Sequence, residues 1–416
     1  MVRVPATPVE DEPYRLVGAT LIDGTLAEPL PDAEVEVAGG VIVYAGPRRA
    51  RDIAGVRVTD ARGGFLMPGF VDTHVHLVMN TTASVEEQRT WFPEQGVVAA
   101  LSNLRATVDA GVTTARDLSG LTPGYRSSIA TGDVVGPRLH LAIAMLSPTG
   151  GHADPVLANG SLPLWAERAT TPGWGVVDTL DEVIRMVRAL VRTGADVIKV
   201  CTSGGMSTPH DDPADRGLPE AHVAAIVAEM RGRQGQPVAA HAQNDAGALA
   251  AVRGGVASVE HGYDLSEETV SAMLERGTVL VPTLSALLRR RPDDARTAQR
   301  SAAQESIRRA IAAGVPVALG TDAGIHAQGR NLIELGHLVR AGLSPLQAVH
   351  AGTLGGARLM RLAAHTGSIE EGKLADLVVT AVDPLADIDA LGDPSAVRLV
   401  AQSGRVLKDL DALISR

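Results

Sequence analysis

The 416-residue chain contains a single cysteine, Cys201. An internal disulfide and a thiolate metal cluster are thereby excluded, and a reducing compartment is the natural setting. Aromatic residues make up only 2% of the sequence, against 45% hydrophobic residues overall. The core must therefore be built from Ala, Val, Leu and Ile, which suits a parallel sheet covered by helices. Basic residues are in deficit: 38 Lys and Arg stand against 48 Asp and Glu, for a net charge of −10. With no basic cluster interleaved with aromatics, nucleic acid is not an expected partner. No uninterrupted apolar run is long enough to span a bilayer, and the N-terminal MVRVPATPVEDEPYR lacks a secretory pattern. The expectation is a soluble, cytoplasmic protein with no membrane partner that acts on a small molecule. Nothing in the composition excludes a homo-oligomer. Short-period repeats are missing as well, which excludes a solenoid.

One large domain with a smaller addition is expected at this length. From about residue 14 to 65 the runs YRLVGATLIDGT, AEVEVAGGVIVYAGP and VRVTDARGGFLMPG alternate apolar residues with turn residues, a hairpin texture. The same texture returns near the C-terminus in GSIEEGKLADLVVT and VRLVAQSGRVLKD. The two ends are expected to build one small β-sandwich domain from residues 1–65 and 366–416. Between them, residues 66–365 alternate strand candidates with amphipathic or alanine-rich helix candidates: VDTHVH, GVTTARDL, RLHLAIAML, ADVIKVCT, PVAAHAQ, ASVEHG, TVLVPTL and VPVALGTDAG. Eight such units predict a (β/α)8 TIM-like barrel. A doubly wound fold would carry a phosphate-binding glycine fingerprint after its first strand, and none follows VDTHVH.

The first barrel strand, in GFVDTHVHLVMN, directs Val71, Thr73 and Val75 to one face and Asp72, His74 and His76 to the other. A lone buried histidine is ordinarily a hydrogen-bonded core residue, but two on one strand face beside an acid favour metal ligation. In a barrel the active-site residues come from the C-terminal ends of the strands. Those ends carry His74 and His76, Lys199, His241, His261 and Asp322. Each has an ordinary reading alone: HAQ as a plain strand end, GTDAG as a turn whose Asp322 caps a helix, Lys199 as a lysine snorkelling to solvent. Their ordered joint occurrence on one rim is what points to a metal site.

On LMPGFVDTHVHL, ADVIKV, VAAHAQ, SVEHG, LGTDAG and GSIEEGKLADLVV, the chain resembles the metal-dependent amidohydrolase superfamily, and within it the branch of prolidase-like dipeptidases and ochratoxinase-like amidases. The resemblance implies two divalent ions. His74, His76 and Asp322 would hold one, His241 and His261 the other, and Lys199, carboxylated on its amine, would bridge them. An imidazole and carboxylate set without thiolate suits Zn, with Co, Mn or Fe also compatible. A free ammonium among cations would be repelled, so Lys199 must be neutral, distant or converted to an anion. The implied reaction is hydrolysis of an amide C–N bond by a metal-bridging hydroxide, with Asp322 taking the proton and passing it to the leaving nitrogen.

By the same resemblance His152, in SPTGGHADP, meets the substrate carbonyl, and Tyr263, just after His261, holds a terminal carboxylate. The ordinary alternatives are a turn-capping histidine and a half-buried packing residue. The expected substrate is a dipeptide or an N-acyl amino acid with a free carboxylate; the alternative is a lactam, imidazolone or carbamate. The chain departs from the dipeptidase pattern after strand four, in SGGMSTPHDDPADRGLP, and after strand five, in HAQND. His210 is read as solvent-facing and Cys201 as a small buried thiol. Two rival functions are weighed. A mononuclear base deaminase on the same barrel would carry glutamate where this chain has Asn244, and a metal-free scaffold would lack a ligand where none is missing.

Overall fold

The structure, a computed structural model, describes residues 12–50, 56–84, 87–88, 90–162, 174–206, 208, 210–233, 235–289 and 297–414. Most of MVRVPATPVEDEPYR, and Ser207 and Pro209 of the loop after strand four, lie outside the described residues.

The hairpin-textured ends meet as expected. Leu377–Thr380, from the C-terminal part, pairs antiparallel with Phe65–Pro68, from the N-terminal part. They lie at the centre of one eight-stranded sheet to which both termini contribute. Its apolar face is aliphatic, with Leu16, Val35, Leu66, Leu377 and Leu399 fully buried. The sheet leads directly into the barrel strands through Pro68 and Gly69. It is also pinned to them by a buried ion pair, in which Arg138 Nη1 donates to Asp376 Oδ2 at 2.8 Å.

Seven of the eight expected barrel segments contain parallel strands. Phe70–Val75, Val112–Asp117 and Arg138–Leu141 form a three-stranded sheet. Met145–Ser147, Ile198–Cys201, Val238–Ala242, Ser258–His261 and Val279–Val281 follow in order in a second sheet, with Trp174–Val176 on its edge. The run RLHLAIAML is thus two strands. Ile143, between them, has a positive φ of 69°, which breaks the ladder so that the first half pairs with one sheet and the second half with the other.

The last expected strand, VPVALGTDAG, is not a regular strand but is joined to both neighbours by isolated parallel bridges, Leu280 to Val317 and Val75 to Ala323. The amides of Thr321 and Asp322 both point at the His74 carbonyl, at 3.2 and 2.7 Å, which no regular ladder allows. The chain leaves the ladder where it must aim Asp322 inward.

The covering helices follow from their sequences. Leu180–Thr193 starts at a Thr179–Glu182 capping box, buries Val183, Val187 and Leu190 on one face, and stops at Gly194 in the left-handed region. Asp245–Gly254 is capped by Asn244, whose side chain accepts from the Gly247 amide at 2.8 Å. A residue at the position diagnostic of deaminases is here spent on a helix cap.

Candidate metal centre

The six expected ligands are all buried, between 1% and 7% exposed. The histidines form a continuous chain of ring contacts. His76 lies 5.4 Å from His74, His74 is 5.1 Å from His261, and His261 is 4.6 Å from His241, centroid to centroid. His152 completes the chain, stacked on His241 at 4.0 Å with the planes 13° apart.

Three of these side chains already form a ligand set. The donor atoms of His74, His76 and Asp322 lie within 4.8 Å of one another. Asp322 Oδ1 sits 3.6 Å from His74 Nε2 and 3.4 Å from His76 Nε2 and has no hydrogen-bond partner among the described residues. Gly320 makes this approach possible, because a β-carbon there would fall 2.8 Å from His74 Cβ. His261, Thr283 and Asp322 all have positive φ, an expensive backbone state for residues with side chains. At His261 it turns the strand end so that consecutive residues, Glu260 and His261, both reach His74.

Each of the four expected histidine ligands uses one ring nitrogen on a protein partner and keeps the other. His74 Nδ1 donates to Glu260 Oε2 at 2.8 Å, His76 Nδ1 faces Ser119 Oγ at 3.2 Å, and His261 Nδ1 meets Thr283 Oγ1 at 2.7 Å. These three retain Nε2. His241 is the reverse: Nε2 donates to the Gly204 carbonyl at 3.0 Å, which retains Nδ1. Outer partners that fix tautomer and ring orientation are a general property of metal-ligating histidines.

Electrostatics point the same way. Burial first, and neighbouring positive charge including Lys199 second, hold His74 well below the ordinary histidine value and bring His76 to about 3. Burial likewise lowers His241 and His261. All four are neutral imidazoles at pH 7, as ligation requires. Burial raises the Asp322 carboxyl to about 7, against the opposing charge of Lys199. Lys199 itself is lowered by burial, is 1% exposed, and its Nζ has no hydrogen-bond partner among the described residues. An orphaned amine of this kind fits a modified lysine better than a free ammonium.

Asp72, on the same strand face as His74 and His76, serves the fold. It accepts from the His74 and Thr321 amides at 3.1 and 3.2 Å, from Thr321 Oγ1 at 2.7 Å and from Asn331 Nδ2 at 2.8 Å, lashing the first strand to the last segment. Asp322 caps no helix. Tyr263 is 8% exposed, with its hydroxyl 3.0 Å from Thr283 Oγ1. His210 is exposed, and Cys201 is fully buried with its thiol pushed up to about 12 by burial. The sequence pattern did not single out Glu260, which anchors His74 and is itself held by Arg116 Nη2 at 2.8 Å, nor Thr283, nor Asp211, which meets His152.

A family model for the amidohydrolase family matches residues 65–407. The chain belongs to the amidohydrolase family. It is similar to the ochratoxinase of Aspergillus niger, 30% identical over 409 residues, spanning 92% of this chain and 84% of that protein. It is 26% identical over 417 residues to the imidazolonepropionase of Geobacillus kaustophilus, covering 91% and 90% of the two chains. Among solved structures, a prolidase complexed with N-methylphosphonate-L-proline matches with a TM-score of 0.87 at 29% identity, over 95% of this chain and 100% of that one. The protein is therefore a hydrolytic enzyme of a family whose members act on small molecules, built on a TIM-like barrel with an extra domain and carrying a His-His-Asp group that could hold a metal ion.

Proposed function

We propose that the enzyme hydrolyses an amide C–N bond in a small substrate with a free carboxylate, a dipeptide or an N-acyl amino acid, at a two-metal site. The observation that carries this reading is the unbroken chain of four neutral histidines around two orphaned atoms, Asp322 Oδ1 and Lys199 Nζ. His74, His76 and Asp322 would hold one ion. His241 and His261 offer only two donors to a second, so a carbamate on Lys199 would supply the shared oxygen ligand. Two divalent ions, Zn by donor chemistry, would lower the pKa of water and polarise the bond under attack.

The protein's own groups do the rest. Asp322, next to the attacking water, takes its proton and returns it to the leaving nitrogen. His152 faces the substrate carbonyl from the loop after strand three. Tyr263 holds the carboxylate. Its hydroxyl is 3.0 Å from Thr283 Oγ1, which meets His261 Nδ1, and it also reaches the Thr283 carbonyl at 3.4 Å, a long contact that a substrate carboxylate, the better acceptor, would replace. A cyclic amide, a lactam or imidazolone, is the second reading, favoured by the likeness to imidazolonepropionase over 91% of the chain; a carbamate is a further variant of it.

The test is metal analysis with a substrate panel of dipeptides, N-acyl amino acids, lactams and carbamates. About two divalent ions per chain are expected, with activity lost to a chelator and restored by Zn or Mn. Lys199→Ala should lose activity and at least one ion, and short carboxylic acids should restore part of both. Equal rates on free and C-terminally amidated substrates would shift the assignment to the cyclic amide or carbamate.

A further inference from the structure

Two loops that are far apart in sequence meet at His152. Its Nδ1 donates to Asp211 Oδ2 at 2.9 Å, and the same oxygen accepts from the Gly205 amide at 2.6 Å. The Ala153 amide donates to Thr208 Oγ1 at 2.9 Å, and Ala153 sits in the left-handed region with a φ of 67°. The strand-three turn is thus held by the strand-four loop at the ring and at the backbone. The other side of the ring lies flat on His241, and the Gly204 carbonyl of that same strand-four loop accepts from His241. Gly205 is required by this packing, since a β-carbon there would fall 2.3 Å from His152 Cε1 and Nδ1.

The Asp211 side chain is 0% exposed, yet its second oxygen, Oδ1, has no partner among the described residues. A buried carboxylate with one oxygen unsatisfied is a costly way to tie two loops together, and an asparagine could accept the same two bonds more cheaply. What the carboxylate adds is a fixed hydrogen on Nδ1. Nε2, which has no hydrogen-bond partner among the described residues, is then the nitrogen turned to the substrate.

We infer that Asp211 is a positioning residue for the reaction. It sets the orientation of the His152 ring against His241 and so places Nε2 over the bond to be cleaved. This rests on the reading of His152 as the substrate-facing histidine. It makes the strand-four loop, where the chain departs from the dipeptidase pattern, part of the catalytic geometry.

The experiment is a double-mutant cycle on the metal-loaded enzyme, with the best substrate from the panel. Asp211→Ala should lower kcat by about 10- to 100-fold with KM little changed and the bound metal retained. Asp211→Asn, which keeps an acceptor for Nδ1, should recover part of the loss. The combined His152→Ala/Asp211→Ala enzyme should be no slower than His152→Ala, within about twofold, because a positioning residue has nothing left to position. Gly205→Ala should give the same kcat loss in the wild type and none in the His152→Ala background, where the space is vacated. A crystal structure of Asp211→Ala should show the His152 ring displaced from the 4.0 Å stack on His241. Additive losses in the cycle, or an undisplaced ring, overturn the assignment of Asp211. A His152→Ala enzyme with wild-type turnover overturns instead the role given to His152 in the proposed function, and with it this inference.

Discussion

The terminal sheet and the barrel rim both bury charge, and they treat it in opposite ways. In the sheet, Glu34 is 0% exposed and both of its oxygens are used. Arg15 donates to Oε1 and Oε2 at 3.0 and 2.7 Å, and the Arg49 amide and Nε donate at 2.9 and 2.8 Å. Burial alone would raise Glu34, but the bonds from the two arginines outweigh it and bring the carboxyl down to about 2. At the rim, burial wins: Asp322 rises to about 7, Lys199 falls, and an oxygen and an amine have no partner among the described residues. A buried charge that is fully answered serves the fold. At Asp322 the unanswered oxygen faces two neutral imidazoles, a donor set that could hold a metal ion.

Asp322→Asn breaks the rim half of this contrast and should have the largest effect. Turnover should fall by about 10²- to 10⁴-fold, with one ion bound more weakly. The fold should not suffer. A carboxyl raised from 3.8 to about 7 on folding means that the metal-free native state binds more protons than the unfolded state across that window, so its stability falls as pH rises through it. The asparagine variant lacks this penalty. Its metal-free form should match or exceed the wild type in melting temperature at pH 7, and the advantage should shrink toward pH 4. A lower melting temperature at pH 7 would place Asp322 with the structural charges.

Glu34→Ala is the mirror experiment. Removing one partner of a buried, fully bonded pair costs about 3–5 kcal/mol, here in global stability, while kcat and metal content stay as they were. The pH dependence has the opposite sign. With the folded carboxyl lowered from 4.5 to about 2, its contribution is complete above pH 4.5 and is lost as the pH falls toward 2. Urea unfolding of the wild type and Glu34→Gln should therefore converge on acidification through that range.

What could be read from the chain follows the same division between local pattern and spatial meeting. His74 and His76 announce themselves because a strand's period of two puts them on one face, and His241, His261 and Asp322 because each closes an apolar run. The joining of the two ends was legible in their shared hairpin texture. Glu260 stood in the quoted SVEHG, but nothing in a one-dimensional pattern says that His261 turns into the left-handed region and brings its neighbour into the site. Asp211 and His152 are 59 positions apart on two loops, and only folding shows that they meet. The split of the third strand at Ile143 and the irregular eighth segment were hidden for the same reason. Both are departures from the ladder that the side-chain pattern of RLHLAIAML and VPVALGTDAG does not record.

The smallest effect is expected at Tyr263, which lies between the two regimes: it is buried like a structural residue, yet its hydroxyl contacts lead to His261. If the phenolic hydrogen leaves its long contact with the Thr283 carbonyl for a substrate carboxylate, Tyr263→Phe removes one hydrogen bond to a charged group. That is worth on the order of 1.5 kcal/mol, so KM should rise about tenfold with kcat nearly unchanged. The same variant should leave an amidated substrate, which offers no carboxylate, at its already poor wild-type rate. If instead the hydroxyl only ties Tyr263 to Thr283, the loss should fall on the His261 side of the chain, as weaker metal binding with KM unmoved. Steady-state kinetics on the acid and amide forms of one substrate, with metal analysis of the same preparation, separate the two outcomes.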